Sequence, residues 1–409
     1  MSPKTLFYIL IGIIVLNFIV DKIIDAINAR HFDDPVPQEL EDVYEDAEYQ
    51  KSQAYKKTRY RFGLITSTFS LMLTLAFFFF DGFAIVDQLA RSYADHPILI
   101  ALLFFGIIML ASDILTLPFS YYSTFVIEER FGFNKMSLET FVLDKLKGWL
   151  MGGLIGGGIL ALIIWFYSAV GENFWLYAWA LVAAFALFMN MFYAKLIVPL
   201  FNKQTPLQKG SLRDKIEAYA KTVGFQLNNI FVIDGSKRST KANAYFSGFG
   251  REKRITLYDT LINDLEEEEI VAVLAHEVGH YKKNHIIVNL IISILTTGFT
   301  LWVLSLFIGN PLLSQALGVL EPSFHIGLIA FGILYTPISE ITGLIMNALS
   351  RAFEYQADDY AKNTYKGEPL IEGLKKLSSK SLSNLTPHPL YVFMHYSHPT
   401  LLQRFQNLR

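Results

Sequence analysis

The stretch Ala275-His276-Glu277-Val278-Gly279-His280 carries the pattern H-E-x-x-H. Positions i and i+4 of a helix lie on one face, so His276 and His280 can offer two imidazole nitrogens to one metal ion. The pattern is typical of zinc enzymes and predicts one Zn²⁺ per chain. Glu277 is at the position of a general base that activates water. A catalytic zinc site has three protein ligands, so the third must come from elsewhere in the chain.

The residues that precede this motif favour a buried metal site over a chance match on an exposed helix. Four glutamates, residues 266–269, begin the helix and suit the positive end of its dipole. The next apolar residues make this part of the helix suitable for burial: Ile270, Val271, Val273 and Leu274. Histidine and glutamate buried in such surroundings need a partner, and a cation is a suitable one.

The composition indicates a membrane protein. Of the 409 residues, 52% are hydrophobic and 18% are charged, and the mean hydropathy is +0.34. These values differ from those of an ordinary globular protein. The net charge of −2 gives no basic surface for nucleic acid. The chain has no cysteine, which excludes disulfides and thiolate zinc ligands.

Apolar runs in the sequence predict about seven transmembrane helices. A hydrocarbon core of about 30 Å requires about 20 apolar residues per helix. The first run lacks the basic region and cleavage site of a signal peptide, so we interpret it as a retained span. The seven runs are residues 6–20 (extended by 21–28), 62–83, 97–121, 149–170, 174–200, 286–308 and 325–349.

Two of these runs contain an acidic residue, Asp113 in the third and Glu340 in the seventh. Carboxylates inside a membrane are costly and usually face a wet cavity or a partner. Alternatively, each marks a helix break near the membrane surface, because Pro118 and Pro337 are close.

The spans divide the chain into four predicted parts. The first is a transmembrane region of five spans with polar loops, and the second is a soluble part that contains the H-E-x-x-H helix. Spans six and seven follow, and the remainder completes the soluble domain. The boundaries are residues 1–200, 201–285, 286–349 and 350–409.

The distribution of basic residues predicts the orientation in the membrane. With seven spans, the segments on one side contain only Lys4 and Arg91 of the 35 basic residues. The positive-inside rule therefore predicts that the other side, which carries the H-E-x-x-H helix and the C-terminus, is cytoplasmic.

The soluble segment before the motif has the pattern of a helix followed by short strands. The helix is predicted at residues 211–223 and the strands at 230–233, 242–246 and 254–258. Glycines in 247–251 predict a hairpin turn between the last two strands. An exposed edge strand beside a zinc helix can pair with an extended peptide, although a hairpin that only packs on the helix has the same pattern.

The candidates for the third ligand are Glu354, Asp358, His285, His388, His395 and His398. His285 lies on or just past the motif helix and is expected to point away from the pair of histidines. Glu354 and Asp358 are i and i+4 on another helix, so one can bind zinc while the other holds a ligating histidine. An ordinary exposed acidic face is the alternative.

The order of these motifs resembles that of the type I CAAX prenyl proteases, which are multispan zinc metalloendopeptidases. The H-E-x-x-H helix is followed by two spans and then by Glu-Tyr-Gln-Ala-Asp at 354–358. Three further segments are similar to the family's loop after span three, its substrate-side strand and its C-terminal motif: residues 125–134, 243–249 and 395–400 with Arg404. The chain departs from many members at Thr400, where they have proline.

The resemblance implies a fold, a ligand set and a mechanism. The fold is a mainly α-helical ring of about seven spans around a water-filled chamber, with a zincin-like domain that contains a small β-hairpin. The implied zinc ligands are His276, His280 and Glu354, with Glu277 as catalytic base. The resemblance also implies roles for four further residues. Asp358 supports the zinc ligands without binding the metal, His398 is a catalytic donor, and Asn243 and Arg404 contact the substrate.

Three functions are compatible with the sequence. The first is CAAX-type cleavage of prenylated proteins, with membrane lipid as the other partner. The second is a quality-control metalloprotease of broader specificity, and the third is a zinc-binding transporter.

Overall fold

The computed structural model describes residues 1–225, 230–247 and 254–409, so most of the predicted hairpin turn, 248–251, lies outside the described residues. The structure is mainly α-helical, as the sequence predicts. The helices are α1 Pro3–Ala29, α2 Asp46–Phe79, α3 Gly82–Tyr93, α4 Pro97–Tyr122, α5 Glu129–Phe131, α6 Leu138–Met151, α7 Gly157–Val170, α8 Phe174–Leu196, α9 Val198–Phe201, α10 Ser211–Thr222, α11 Asp259–Asp264, α12 Glu267–Lys282, α13 His285–Phe307, α14 Pro311–Ala316, α15 Phe324–Thr364, α16 Gly367–Lys380, α17 Pro389–His395 and α18 Leu401–Leu408.

Six helical stretches of the described chain are long and apolar enough to cross a membrane. The fourth, Leu138–Phe201, has 64 residues, which would measure about 96 Å as one helix, far beyond a core of about 30 Å. It turns at Gly171–Asn173, where Gly171 has a φ of +61°, and α7 then packs against α8. Counted as two crossings, this stretch agrees with the prediction of about seven.

Few residues of the spanning helices are buried within the protein. Only 6 to 17% of the most apolar part of each stretch is buried within the protein. Helices of a compact bundle bury one face against their neighbours. Low burial is therefore expected of helices that surround a chamber. Within the spanning part of α15, the polar residues Thr336, Glu340 and Asn347 recur at helical spacing.

The two acidic residues of the spans differ in their surroundings. Asp113 lies within the continuous helix α4, and its carboxylate accepts from Lys145 Nζ at 2.6 Å and Trp149 Nε1 at 2.9 Å. The prediction that a carboxylate within a span has a polar partner is therefore correct for Asp113. Glu340 is exposed on α15 and forms no ion pair among the described residues.

The part of the chain predicted to lie outside the membrane, residues 201–285 with 350–409, is called the soluble unit below. It contains a four-stranded sheet in the order β1-β2-β4-β3. Its strands are β1 Gln204–Pro206, β2 Ile230–Ile233, β3 Ala244–Ser247 and β4 Arg254–Tyr258. The predicted hairpin pairing is confirmed, because β3 pairs antiparallel with β4. The sheet is larger than predicted: β2 pairs parallel with β4, and β1 adds an antiparallel edge. At the other edge, β3 contacts α12.

Helix α12 forms the centre of the soluble core. Its first turn is capped by Glu269, whose Oε2 accepts from the backbone N–H of Glu266 at 2.8 Å. Six apolar residues of this helix are almost completely buried: Ile270, Val271, Ala272, Leu274, Ala275 and Val278. They pack against the C-terminal half of α15 and against α16. Helix α12 is therefore held from several sides, which fixes the direction of its histidines.

A polar junction joins the soluble unit to the spans. The Tyr55 hydroxyl on α2 donates to Glu128 Oε1 at 2.7 Å, and Lys241 Nζ donates to Glu128 Oε2 at 3.0 Å. Helix α2 runs without a break from Asp46 into the membrane. This single helix carries span two directly into the soluble unit.

Candidate metal centre

Two helices bring the predicted ligands together. His276 and His280 project from α12, and Glu354 projects from α15 one turn beyond the membrane-spanning run. The two Nε2 atoms lie 3.1 Å apart. Glu354 Oε2 lies 3.4 Å from His276 Nε2, and Glu354 Oε1 lies 3.3 Å from His280 Nε2. One ligand atom from each residue lies within 4.8 Å of the others.

These separations fit a tetrahedral zinc ion. Zinc binds histidine nitrogen at about 2.0–2.1 Å and carboxylate oxygen at about 2.0–2.2 Å. Two ligands of a regular tetrahedron with such bonds are about 3.4 Å apart. The observed 3.1, 3.3 and 3.4 Å agree with that value. The three donors therefore leave room for one ion between them.

The electrostatics of the cluster also favour a cation. Glu354 is buried, and its Oε2 atom accepts no hydrogen bond from any described residue. Burial lowers the pKa of His276, but the neighbouring carboxylates of Asp358 and Glu354 outweigh this effect and raise the pKa to about 9. The buried carboxylates therefore attract positive charge to the position between the rings, which is the property required of a metal site.

A glycine allows the two helices to approach closely. A Cβ atom on Gly279 would lie 3.1 Å from the backbone Cα and O atoms of Ala357 and 3.1 Å from Tyr360 Cβ. The fourth residue of the H-E-x-x-H motif thus lies at the crossing of α12 with α15. The role of Gly279 is not evident from the sequence, because it depends on residues of another helix about 80 positions later.

Asp358 and Arg404 support the cluster from behind His276. Asp358 Oδ1 lies 2.8 Å from His276 Nδ1, which leaves Nε2 of that ring free to face the cluster. Arg404 binds Asp358 with two hydrogen bonds, from Nη2 to Oδ1 at 2.6 Å and from Nε to Oδ2 at 2.9 Å. Its Nη1 atom is also 3.7 Å from Glu354. The described contacts of Arg404 therefore connect it to the acidic residues of the cluster.

His285 lies closer to the cluster than expected. It begins α13 instead of continuing α12, and its Nδ1 atom is 2.9 Å from His280 Nδ1. Its ring stacks on Phe353 at 4.1 Å, and its Nε2 atom is 3.2 Å from Gln356 Oε1. The expectation that it points away from the pair is wrong, because α12 ends before it and Asn284, with a φ of +61°, changes the direction of the chain. His285 supports His280 from behind, as Asp358 supports His276.

Glu277 is partly buried and has no hydrogen-bond partner among the described residues. Burial raises the pKa of its carboxyl, and the neighbouring His276 and His280 act in the opposite direction. A carboxylate with a raised pKa and no fixed partner is suited to accept a proton.

The remaining predicted site residues lie at the solvent side. His398 is 62% exposed at its side chain, and its Nε2 atom is 3.3 Å from Glu354 Oε1. Its Nδ1 atom lies 2.9 Å from Ser397 Oγ. Asn243 is exposed immediately before β3, and its side-chain oxygen accepts from the backbone N–H of Ala244 at 2.9 Å. No described contact joins Asn243 to the histidines.

Two family models cover nearly the whole chain. Residues 26–203 match the N-terminal part of CAAX prenyl proteases, which is described as five membrane helices. Residues 206–409 match peptidase family M48.

Individual relatives are similar over most of their length. The chain is 38% identical to CAAX prenyl protease 1 homolog of Dictyostelium discoideum, over 91% of this chain and 89% of the relative. It is 36% identical to CAAX prenyl protease 1 of Saccharomyces cerevisiae, over 91% and 88% of the two chains. Among solved structures, Ste24p of S. mikatae superposes with a TM-score of 0.94 at 34% identity, covering 98% of this chain and 99% of that one.

Proposed function

This chain belongs to the CAAX prenyl protease family of M48 peptidases, and on that premise we propose that it uses zinc to cleave the C-terminal segments of prenylated proteins. It is a multi-pass membrane metallopeptidase. Family membership decides against the zinc-binding transporter considered above. The observation that carries the proposal is the convergence of His276, His280 and Glu354 within 4.8 Å.

We assign zinc because two imidazoles and one carboxylate form a donor set typical of catalytic zinc sites. Such a set leaves one position open for water or substrate. When bound, zinc supplies a Lewis acid that polarises the scissile carbonyl and makes water available as a nucleophile near neutral pH. In this assignment Asp358 fixes the tautomer and orientation of His276, and Arg404 fixes Asp358.

Glu277 and His398 are the proposed catalytic residues. Glu277 takes a proton from the attacking water and passes it to the leaving amine. The position of His398 next to Glu354, with its side chain open to solvent, allows its Nε2 atom to donate to the developing oxyanion.

The edge strand β3 supplies the proposed binding surface for the peptide. Because β3 is the last strand of the sheet and contacts α12, an extended substrate that pairs with it would run past the cluster. Asn243 stands at the start of this strand and is the proposed side-chain contact there. Arg404 remains a predicted substrate contact, and its described partners are Asp358, Glu354 and His276.

A peptide assay distinguishes the proposed function from its alternative. We expect the purified protein to cleave a farnesylated CAAX peptide with a kcat/KM at least about tenfold above that of the same peptide without the farnesyl group. The reason is that burial of the apolar farnesyl group supplies binding energy. Liquid chromatography with mass spectrometry would identify the cleaved bond. Equal cleavage of both peptides would favour a quality-control protease of broad specificity.

The role of His398 can be tested with the same peptide. We expect His398→Ala to lower kcat by about 10² to 10³ with little change in KM, since an oxyanion donor acts mainly in the transition state. Metal content should stay at the wild-type level. A variant with normal kcat would exclude His398 from catalysis.

We further propose that the protease domain faces the cytoplasm, because only Lys4 and Arg91 lie on the opposite side. The absence of native cysteine makes single-cysteine labelling straightforward. In sealed membrane vesicles whose outer face is the cytoplasmic face, a membrane-impermeant maleimide should label Lys380→Cys, and should label Asp95→Cys only after permeabilisation. The reverse pattern would contradict this orientation.

A further inference from the structure

A groove outside the metal centre opens between two spanning helices. It has a volume of about 520 Å³ and lies between α2 and the end of α4. Arg61 and Phe62 line it from α2, Phe119 and Tyr122 line it from α4, and Arg130 closes it from α5. We refer to it below as the α2–α4 groove.

The groove lies at the depth of the lipid headgroups. Arg61 immediately precedes the apolar run of α2, which begins at Phe62. Six residues earlier, or about 9 Å along the helix, Tyr55 is hydrogen bonded within the polar junction to the soluble unit. On α4 the apolar run ends at Tyr121, next to Tyr122 of the groove. Both walls of the groove therefore extend from the hydrocarbon core of the membrane to its aqueous surface.

The two arginines of the groove have no acidic partner among the described residues. Both are exposed, and the one described contact of Arg130 is a cation–π contact with the Phe131 ring at 5.7 Å. The two acids next to Arg130 in sequence have other partners: Glu129 accepts from Asn134 Nδ2 at 2.9 Å, and Glu128 is bound by Tyr55 and Lys241. Arg59 differs from the groove arginines, because it lies 3.5 Å from Glu128. The groove thus presents two uncompensated positive charges.

Below the arginines the wall is aromatic. Phe62 stacks on Tyr122 with ring centroids 5.3 Å apart, and Phe119 lies 6.3 Å from Phe62. Phe69 lies on α2 about two turns deeper in the membrane than Phe62. Its ring is 4.9 Å from that of Phe119 and extends this aromatic surface into the membrane. A surface of this kind favours an apolar chain and has few groups that can bind a peptide backbone.

We propose that the α2–α4 groove binds one anionic phospholipid of the leaflet that faces the protease domain. Its phosphate and acidic headgroup lie between Arg61 and Arg130, and an acyl chain follows the aromatic wall. Basic pockets between transmembrane helices bind acidic headgroups in this way. The lipid would fasten α2 to α4 directly beneath the polar junction with the soluble unit.

Native mass spectrometry of the full-length protein in detergent tests this proposal. Phosphatidylserine and phosphatidylcholine with identical acyl chains are added in equal amounts, and the bound fraction of each is measured. We expect the wild type to bind phosphatidylserine more tightly by about 5- to 25-fold, since each basic residue near the surface contributes about fivefold. Equal binding of the two lipids by the wild type would overturn the proposal without any variant.

Two pairs of substitutions locate the site. We expect the double variant Arg61→Gln and Arg130→Gln to lose the preference for phosphatidylserine. The matched control is Lys209→Gln with Lys221→Gln, which removes the same charge from exposed residues of the soluble unit and should keep it. If the double variant retains the preference, the lipid binds elsewhere. If the double variant does not fold, the single variants are measured, and each should lose about fivefold.

The farnesylated peptide of the activity assay gives a further test. If the groove instead takes the prenyl chain of the substrate, the peptide will displace the bound lipid and the double variant will raise KM. Both results together would show that the groove takes the prenyl chain, and they would overturn the lipid assignment. The proposal does not depend on the identity of the metal, so failure of the zinc assignment would leave it unaffected.

Discussion

The Glu277→Gln variant should lose peptidase activity by about 10² to 10⁴-fold in kcat while it keeps its metal. This range is the usual contribution of a general base. Glutamine has nearly the same shape as glutamate but accepts no proton near neutral pH, so the attacking water is no longer activated. Glu277 has no hydrogen-bond partner among the described residues, so its replacement leaves no described contact broken. The measurement is single-turnover cleavage of the farnesylated peptide.

Glu267→Gln is the matched control for this variant. Glu267 lies in the first turn of the same helix, is partly exposed, and pairs with Lys215 at 3.0 Å. Its replacement removes the same charge at a distance from the histidines and should leave kcat unchanged. Wild-type activity in purified Glu277→Gln protein would show that another group activates the water.

Removal of a ligand should eliminate the metal and the activity together. His276→Ala leaves two donors, His280 and Glu354, which are too few for a stable catalytic zinc site. We expect the metal content to fall from one ion per chain to near zero, as measured by inductively coupled plasma mass spectrometry. The control is His31→Ala, because His31 contacts Asp34 and His388 and no described contact joins it to the cluster.

A second variant tests the geometry without removing a ligand. Gly279→Ala must separate α12 from α15 by a few tenths of an ångström, since the new Cβ atom would lie 3.1 Å from Ala357 and Tyr360. Ligand distances in metal sites tolerate only about 0.2 Å. We therefore expect a loss of metal affinity of about 10- to 100-fold, the range found for groups that orient ligands. Unchanged affinity would show that α15 can shift without disturbing Glu354.

The sequence alone was sufficient to predict the two histidine ligands of the candidate site. His276 and His280 are four residues apart, so helical periodicity alone places both rings on one face. Glu354 lies on another helix beyond two spans, and residue chemistry alone left it equivalent to Asp358. The resemblance to the family favoured Glu354, and the structure brings this carboxylate to the two Nε2 atoms. The support from His285 was not predicted, because it depends on the left-handed conformation of Asn284.

The fold was predictable where its signal is local. Long apolar runs indicated the spans, and the strands at 230–233 and 254–258 begin and end as predicted. Strand β1 was not predicted, because it has three residues, ends in proline and is stabilised by a partner some 30 residues away. The parallel pairing of β2 with β4 also joins distant segments, and no local pattern encodes such a pairing.

Anomalous X-ray diffraction at the zinc absorption edge, on crystals of the wild-type protein, tests the central claim most directly. The account predicts a single strong peak between α12 and α15, within about 2.2 Å of His276 Nε2, His280 Nε2 and one oxygen of Glu354. A peak bound to other residues, or the absence of any zinc peak at these three donors, would contradict it.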